Sequence, residues 1–352
     1  MENRSSKGNR ELFPLIREGM LNISRPLKNA ILLLLVFFLW ACAHRAIVSP
    51  GGTEAVYTVK HDGNSLVSRF APALLAYKYQ DQQNRIGTPS ARYNTNGEEE
   101  IYMDVEKPAM YWMTRKFTTS KGTYTNLIYR IHFPEVPLSL IPFYLTAGKN
   151  FGLLFVVTLD EKNQPVLFTT SGTCGCYAVT IPTQYLDKGA YPKDWNPGKP
   201  LHVYGETLPG LLNFAPFSQP KLLVHLRPDV HRVMDLEVVD ATQLAMSGFQ
   251  KKVETPLLPI ASLEKIPAGM GSTTSLYYNA WPYRGLVKGA FKSWETLTMS
   301  LISLDFFVGT DKIYGDARVT GTHFYTSLKP WNREASDMWH FERFLEFNGW
   351  KL

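Results

Sequence analysis

The strongest hydrophobic feature of the chain is a run of thirteen apolar residues at positions 31–43. Arg25 and Lys28 precede this run, and His44 and Arg45 follow it. A helix that crosses a bilayer needs about 20 apolar residues, whereas about 7 to 15 suit the hydrophobic core of a secretory signal. The pattern therefore predicts an export signal that places the rest of the chain outside the cytoplasm.

The pattern in the centre of the chain is typical of β-strands. Segments 111–119 and 123–133 flank a short hairpin connection, and apolar side chains alternate with polar ones in the second segment. This alternation predicts a half-buried strand that carries Arg130 and His132 on its less apolar face. The almost unbroken apolar segment 153–159 predicts a strand that is covered on both faces. Further strands are predicted at 166–170, 177–181, 221–226 and 231–239.

A long helix is predicted in the last third of the chain. Apolar residues recur at three- and four-residue spacing from Leu286 to Ile302, which indicates a helix with one apolar stripe. We expect this stripe to dock against the sheet. The alternative is a helix on a membrane surface, with Lys288 and Lys292 on its polar face.

Two further helices are shorter. Residues 73–79 are predicted to form one, with Pro72 in its first turn. The other lies at the C-terminus, where Asn332 is the expected cap, Gly349 the left-handed stop, and Trp350 a residue that folds back. The apolar side chains that should dock this last helix are Met338, Phe341, Phe344 and Leu345.

Together these elements predict an α+β fold with a mainly antiparallel β core, peripheral helices and a docked C-terminal helix. Residues 1–42 form the predicted leader and signal segment, and residues 43–64 a spacer. Residues 65–352 form a single globular extracytoplasmic domain, with a β-rich centre at about 101–240 and a helical last third. The sequence of this domain contains no evident linker, internal repeat or low-complexity tract.

The charge of the chain is concentrated in the predicted leader. The whole chain has a formal net charge of +6. Residues 1–42 contain six basic and three acidic residues, so the remainder has 31 basic and 28 acidic residues and a net charge of +3. A nucleic-acid-binding protein needs a clustered basic face. The exported part therefore predicts no nucleic-acid partner.

Within the apolar run, Leu39-Trp40-Ala41-Cys42 resembles the lipobox of bacterial lipoproteins. In that family a small residue precedes a cysteine that is lipidated and becomes the new first residue. The resemblance covers the signal segment only. It implies lipidation of Cys42 and an N-terminal anchor that makes the lipid bilayer a partner of the protein.

The same resemblance implies a place in the bacterial cell envelope, with the body outside the cytoplasm. Because Ala43 and His44 follow the cysteine and no Asp does, the outer membrane is the favoured destination. The alternative is an uncleaved signal that anchors the protein in the inner membrane. Thirty residues before the apolar run are many for a signal, and Met20 offers a start that leaves an ordinary basic leader.

The best candidate for chemistry is Thr173-Cys174-Gly175-Cys176. If Cys42 carries lipid, Cys174 and Cys176 are the remaining thiols of the chain, and in an oxidising envelope they would form a disulfide or hold a metal. In an extended strand their Cα atoms would be about 6.6 Å apart, at the outer edge of the disulfide range. A bond between them therefore needs a bend, which Gly172 and Gly175 permit.

Two thiolates on one side of a bend also suit a soft ion such as Cu(I), or half of a zinc site. His132 and His61 are the candidate additional ligands, because one lies on a polar strand face and the other in a predicted loop. The candidate cofactors are therefore copper or zinc. A surface or capping role is the simpler interpretation of each histidine.

No nucleophile elbow, His-Glu-x-x-His motif or Gly-rich dinucleotide loop occurs in the sequence, so no enzyme class is predicted. Trp331 and Arg333 lie in a predicted loop whose composition is typical of a recognition surface. Two functional hypotheses follow. The first is a membrane-anchored envelope protein that binds or scaffolds a protein partner, and the second is a metal-binding or thiol-redox protein that uses Cys174 and Cys176.

Overall fold

The computed structural model describes residues 53–60, 65–269 and 271–352. The predicted signal segment, Cys42 and His61 lie outside the described residues. The strands are β1 (Glu54–Val59), β2 (Ala73–Tyr77), β3 (Thr88–Tyr93), β4 (Glu99–Asp104), β5 (Met110–Thr119), β6 (Gly122–Val136), β7 (Gly148–Leu159), β8 (Pro165–Gly172), β9 (Val179–Pro182), β10 (Leu201–Val203), β11 (Glu206–Leu208), β12 (Pro220–Leu226), β13 (Val233–Asp240), β14 (Lys251–Thr255), β15 (Leu257–Pro259), β16 (Ile266–Pro267) and β17 (Thr273–Thr274). The α-helices are α1 (Leu66–Phe70), α2 (Ala241–Met246), α3 (Ser293–Ser303), α4 (Ala317–Thr320) and α5 (Phe341–Phe347).

Two sheets form the centre of the fold. The larger sheet has the order β15-β5-β6-β7-β8-β9, in which only the β15–β5 pair is parallel. The second sheet is mixed and has the order β13-β12-β2-β1-β14. The main hydrophobic core contains side chains of both sheets, so one face of each is buried by the other. The smaller hairpins are β3–β4, β10–β11 and β16–β17.

The C-terminal segment covers the opposite face of the larger sheet. Ile128 of β6 and Leu154 of β7 belong to a second buried cluster with Phe344 and Leu345 of α5. Gly349 has a φ of 84° and ends the helical segment, and Trp350 is buried. The predicted α+β fold with a docked C-terminal helix is confirmed.

This cover explains why both faces of β6 and β7 are apolar or buried. The prediction that β7 is covered on both faces is confirmed. The prediction that β6 is half-buried is wrong, because Arg130 and His132 are fully buried on the face that the C-terminal segment covers. The predicted cap at Asn332 is also wrong, since Asn332 ends a short 3-10 turn and α5 begins at Phe341.

Two predictions near the N-terminus are wrong. Residues 54–59 of the predicted spacer form β1, which lies between β2 and β14 in the mixed sheet. Residues 73–77 of the predicted helix form β2, which pairs with both β1 and β12. A short apolar run suits a buried strand as well as a helix, and two neighbouring strands supply its backbone partners.

The long helix of the last third also differs from the prediction. It begins at Ser293, because residues 286 and 287 instead pair with residues 312 and 277 as isolated bridges. Its predicted apolar stripe does not dock on the sheet, since Leu297, Leu301 and Ile302 are exposed. The predicted helical last third is therefore only partly helical.

The lysines of the alternative membrane-surface prediction do not form a basic face. Lys292 is fully buried beside Asp311, and Lys288 pairs with Glu99 at 2.6 Å. None of the helices in the described ranges has both the length and the apolar character that crossing a bilayer requires.

Candidate functional site

Cys174 and Cys176 lie in a tight turn between β8 and β9 and form a disulfide with a Cα–Cα distance of 5.5 Å. Backbone hydrogen bonds close the turn: Gly172 N donates to the carbonyl oxygen of Cys176 at 2.9 Å, and Gly175 N donates to that of Gly172 at 2.8 Å. Gly175 has a φ of 91°, in the left-handed region. The turn is therefore the bend that a bond between these two cysteines requires.

The turn is packed against the C-terminal third of the chain. Lys312 N donates to the carbonyl oxygen of Thr173 at 2.9 Å, and Lys312 Nζ donates to that of Cys174 at 3.0 Å. The backbone of Tyr325 lies directly against Gly175, so that a side chain at residue 175 would have no space. Cys174 is buried, whereas Cys176 is only partly covered.

This close approach predicts the effect of Gly175→Ala. The new Cβ would overlap with the carbonyl oxygen of Tyr325 and would also strain the left-handed backbone. We expect the free energy of unfolding to fall by about 2 to 4 kcal/mol, measured by urea denaturation. Gly97→Ala is the matched control, because Gly97 has a φ of 77° but no atom within 4 Å of the added Cβ. The control should lose only about 1 kcal/mol, and an equal loss in both variants would contradict the expectation.

Glu295 of α3 is the carboxyl group next to the disulfide. One of its oxygens and the sulfur atoms of Cys174 and Cys176 all lie within 4.8 Å of one another. Glu295 is only 7% exposed, and burial raises the pKa of its carboxyl. Gly309 packs against this carboxyl group, at a point where any larger residue would displace it.

Further ionisable groups are buried around the turn. Lys292 Nζ lies 2.9 Å from Asp311 Oδ2, and both side chains are fully buried. Asp311 Oδ1 also accepts hydrogen bonds from Gly152 N at 3.1 Å and from the Thr173 hydroxyl. Burial lowers the pKa of Lys312 to about 8. Buried charges are costly to a fold, and groups with perturbed pKa values cluster at functional sites.

A polar cleft borders the turn. Its lining includes Asp305, Lys312, His323, Tyr325 and Arg333. Tyr325 donates a hydrogen bond from its hydroxyl to Asp305 Oδ2 at 2.5 Å. Because Lys312 both lines this cleft and contacts the carbonyl oxygen of Cys174, the cleft leads to the backbone of the disulfide turn.

His132 does not join the cysteines. Its Nε2 accepts a hydrogen bond from Arg130 Nε at 2.9 Å, and its ring meets that of Tyr111 edge-on. Burial, helped by the charge of Arg130, lowers the pKa of His132 well below its ordinary value. Among the described residues, Cys174, Cys176 and Glu295 are the group whose potential ligand atoms lie close enough together to share a metal ion. The third potential ligand is therefore a carboxyl group and not the predicted histidine.

Of the two predicted recognition residues, Arg333 lines the cleft. Trp331 is 77% exposed. The guanidinium of Arg333 lies over the ring of Tyr325 and donates to the carbonyl oxygens of Ser303 and Leu304. Arg333 therefore has a structural role in joining α3 to the C-terminal segment.

No protein-family model, curated protein or solved structure matches this chain. Function is therefore inferred from the side chains around the disulfide. The sequence contains one indication of these side chains that hydrophobic periodicity does not take into account, namely isolated charged residues. Glu295 is the only charged residue in α3, and Asp311-Lys312 is an isolated charged pair between Gly309 and Gly315. All three are buried in this structure, although burying a charge is costly to a fold.

Proposed function

We propose that this protein is a membrane-anchored thiol–disulfide exchange protein of the bacterial cell envelope, and that the Cys174–Cys176 disulfide is its reactive group. The observation that carries the proposal is the buried carboxyl of Glu295, with its raised pKa, beside both sulfur atoms. A structural disulfide needs no such neighbour, whereas a nearby proton donor assists the departure of the leaving thiolate in a reactive one. Of the two hypotheses from the sequence, the geometry favours the thiol site over a binding or scaffold protein.

The exchange begins at the more accessible sulfur. A thiolate of a dithiol substrate attacks Cys176 Sγ, the Cys174–Cys176 bond breaks, and Cys174 leaves as a thiolate that takes a proton from Glu295. The second thiolate of the substrate then attacks the substrate sulfur of the mixed disulfide and releases the Cys176 thiolate. The two protons that the substrate thiols lost to solvent are taken up again from solvent by Cys176 and Glu295. The substrate is oxidised to a disulfide by two electrons, and the protein is reduced to a dithiol. The reverse sequence reduces a substrate disulfide.

The anchor and the compartment belong to the same proposal. Lipidation at Cys42 would anchor the body to the outer membrane, outside the cytoplasm. The alternative to lipidation is an uncleaved signal that anchors the body to the inner membrane. The disulfide of the body supports this assignment, because disulfides persist in oxidising compartments such as the envelope.

A second candidate is metal binding by the reduced protein. It is favoured by the three potential ligands, Cys174, Cys176 and Glu295, whose atoms lie within 4.8 Å of one another. Two thiolates suit Cu(I), and two thiolates with a carboxylate provide three of the four ligands that zinc takes.

The test is to equilibrate the full-length protein in buffers with defined ratios of reduced and oxidised glutathione. Free thiols are then alkylated, and the tryptic peptide of residues 163–188 is analysed by mass spectrometry. This peptide contains Cys174 and Cys176 but not Cys42. We expect a single reversible transition between zero and two labels per peptide. A disulfide that excess dithiothreitol reduces only after denaturation would refute the exchange proposal.

The same samples distinguish the other hypotheses. Reduced protein that binds about one equivalent of Cu(I) or zinc, and loses it in the double variant Cys174→Ser, Cys176→Ser, would favour the metal site. A double variant that is folded and still captures the same protein partner as the wild type would favour the binding or scaffold hypothesis.

A further inference from the structure

Helix α3 carries its charged residue inward and its apolar residues outward. Glu295 is 7% exposed, and Lys292 just before the helix is fully buried. By contrast, Leu297 is 68% exposed and Leu301 is 79% exposed. A helix on the surface of a water-soluble protein has the opposite arrangement. The outer side of α3 is therefore suited to an apolar medium.

The neighbouring segment before β7 extends this surface. Residues 137–148 contain no charged side chain, and Ile141, at their tip, is 93% exposed. Phe143 of this segment lies 5.8 Å from Trp294 of α3, measured between ring centroids. The segment and the helix are therefore adjacent.

The segment after α3 has the same character. Leu304 and Phe306 are exposed, whereas Asp305 between them accepts a hydrogen bond from the Tyr325 hydroxyl. We call the combined surface the apolar face. Its exposed side chains are Leu138, Leu140, Ile141, Phe291, Trp294, Leu297, Leu301, Ile302, Leu304 and Phe306. Scattered apolar residues are normal on a protein surface, but a group of exposed apolar side chains on neighbouring segments marks an interaction site.

We propose that the apolar face lies in the interface of a lipid bilayer, an inference that rests on the membrane anchor of the proposed function. Nine residues separate Ala43, at the end of the apolar run, from Thr53. This linker spans at most about 35 Å, so an anchored body would stay close to the lipid surface. Aromatic and aliphatic side chains of the kind found at Trp294, Phe291 and Ile141 are those that enter the boundary between headgroups and acyl chains.

The apolar face and the disulfide are on two sides of the same helix. Glu295 points from α3 toward Cys174 and Cys176, while Leu297 and Leu301 point away from the body. Insertion of α3 would therefore hold the disulfide turn near the membrane surface. A dithiol substrate at that surface, or in the outer part of a membrane protein, fits this position.

The test uses the full-length protein in vesicles of phosphatidylethanolamine and phosphatidylglycerol. An environment-sensitive fluorescent amino acid is introduced at Ile141, at Leu301, or at Lys162 as the control. Lys162 is exposed and follows β7, whose first residue, Gly148, packs against Lys292. The twelve residues of β7 extend about 40 Å, so the control position is far from the apolar face.

We expect lipids with brominated acyl chains to quench the probes at residues 141 and 301 at least about threefold more than the probe at residue 162, because an inserted face reaches about 5–10 Å into the interface. Quenching by aqueous iodide should show the opposite order.

Vesicle flotation measures membrane anchoring separately. Flotation with iodide-accessible probes at residues 141 and 301 would overturn the apolar-face proposal and leave the anchor intact. Failure to float would overturn both. Energy transfer between labelled copies, without quenching by brominated lipid, would assign the face to a second copy of this chain and also overturn the proposal.

Discussion

Asp311→Asn is expected to lower the free energy of unfolding by about 3 to 5 kcal/mol, because it leaves the ammonium group of Lys292 buried without an anionic partner. Lys292 and Asp311 are both fully buried, and their charged atoms are 2.9 Å apart. The substituted amide keeps an oxygen that can accept from Gly152 N and Thr173, but its NH2 group, a donor, replaces Asp311 Oδ2 opposite Lys292. The change therefore keeps two hydrogen bonds and removes the charge together with the contact to the ammonium group. Urea denaturation followed by tryptophan fluorescence measures the effect.

The matched control for this prediction is Glu334→Gln. Glu334 pairs with Arg343 at 2.9 Å, but its side chain is 75% exposed and that of Arg343 is 55% exposed. Exposed ion pairs contribute roughly 0 to 1 kcal/mol, so the control should remain close to the wild type. A loss of less than about 1 kcal/mol in Asp311→Asn would mean that the buried pair is not a major contributor to stability.

Glu295→Gln is expected to slow the reduction of the Cys174–Cys176 disulfide by dithiothreitol about 100-fold at pH values below the raised pKa of Glu295. The wild-type carboxyl has a raised pKa, so below that pKa it is protonated and can donate its proton to the leaving thiolate. Glutamine has the same shape but no proton that it can donate in this step. The variant is expected to fold, because an amide resembles the neutral carboxyl that burial favours.

The pH dependence distinguishes proton donation from a packing effect. As pH rises through the raised pKa of Glu295, the wild-type carboxyl loses its proton and its advantage, so the two rates should converge. Rates are obtained by rapid alkylation and mass spectrometry of the peptide of residues 163–188. Glu334→Gln again serves as the control, because it removes an exposed carboxyl that pairs with Arg343 and is not part of the group formed by Cys174, Cys176 and Glu295. Equal rates for Glu295→Gln and the wild type at every pH would refute the role of Glu295 in the exchange.

The two predictions concern adjacent parts of one buried cluster. Thr173 precedes the disulfide turn and donates its hydroxyl hydrogen bond to Asp311, while Lys312 contacts the backbone of both Thr173 and Cys174. A change at Asp311 should therefore alter the reactivity of the disulfide as well as the stability. A change at Glu295 should alter mainly the reactivity, because its carboxyl has no opposite charge within an ion-pair distance in the part of the chain that the structure describes.

Several features could be predicted from local sequence. The alternation in residues 123–133 and the hairpin before it indicated β5 and β6, and the unbroken apolar run 153–159 indicated a strand covered on both faces. Gly172 and Gly175 indicated the bend that joins the two cysteines, and Gly349 indicated the end of the last helix. In each case, the physical cause lies within about a dozen neighbouring residues, in side-chain period or backbone freedom.

Other features depended on what covers a segment, which local pattern does not reveal. Residues 73–77 became a strand because β1 and β12 supply backbone partners on both sides. The apolar side chains of α3 face outward because its inner side carries Glu295, which lies beside the disulfide, and follows Lys292, which pairs with Asp311. Periodicity describes the two sides of a helix but not which of them faces the body.

The sequence by itself determined the class of fold, the main strands, the docked C-terminal helix and the pair of cysteines as the best candidate for chemistry, because these follow from short-range pattern and composition. Only the tertiary structure decided which groups surround those cysteines. Glu295 and Lys312 are more than a hundred residues away from Cys176 along the chain, and contact between them arises when α3 and the C-terminal segment pack on the β8–β9 turn. Long-range packing places a carboxyl in a buried site, and burial then raises its pKa.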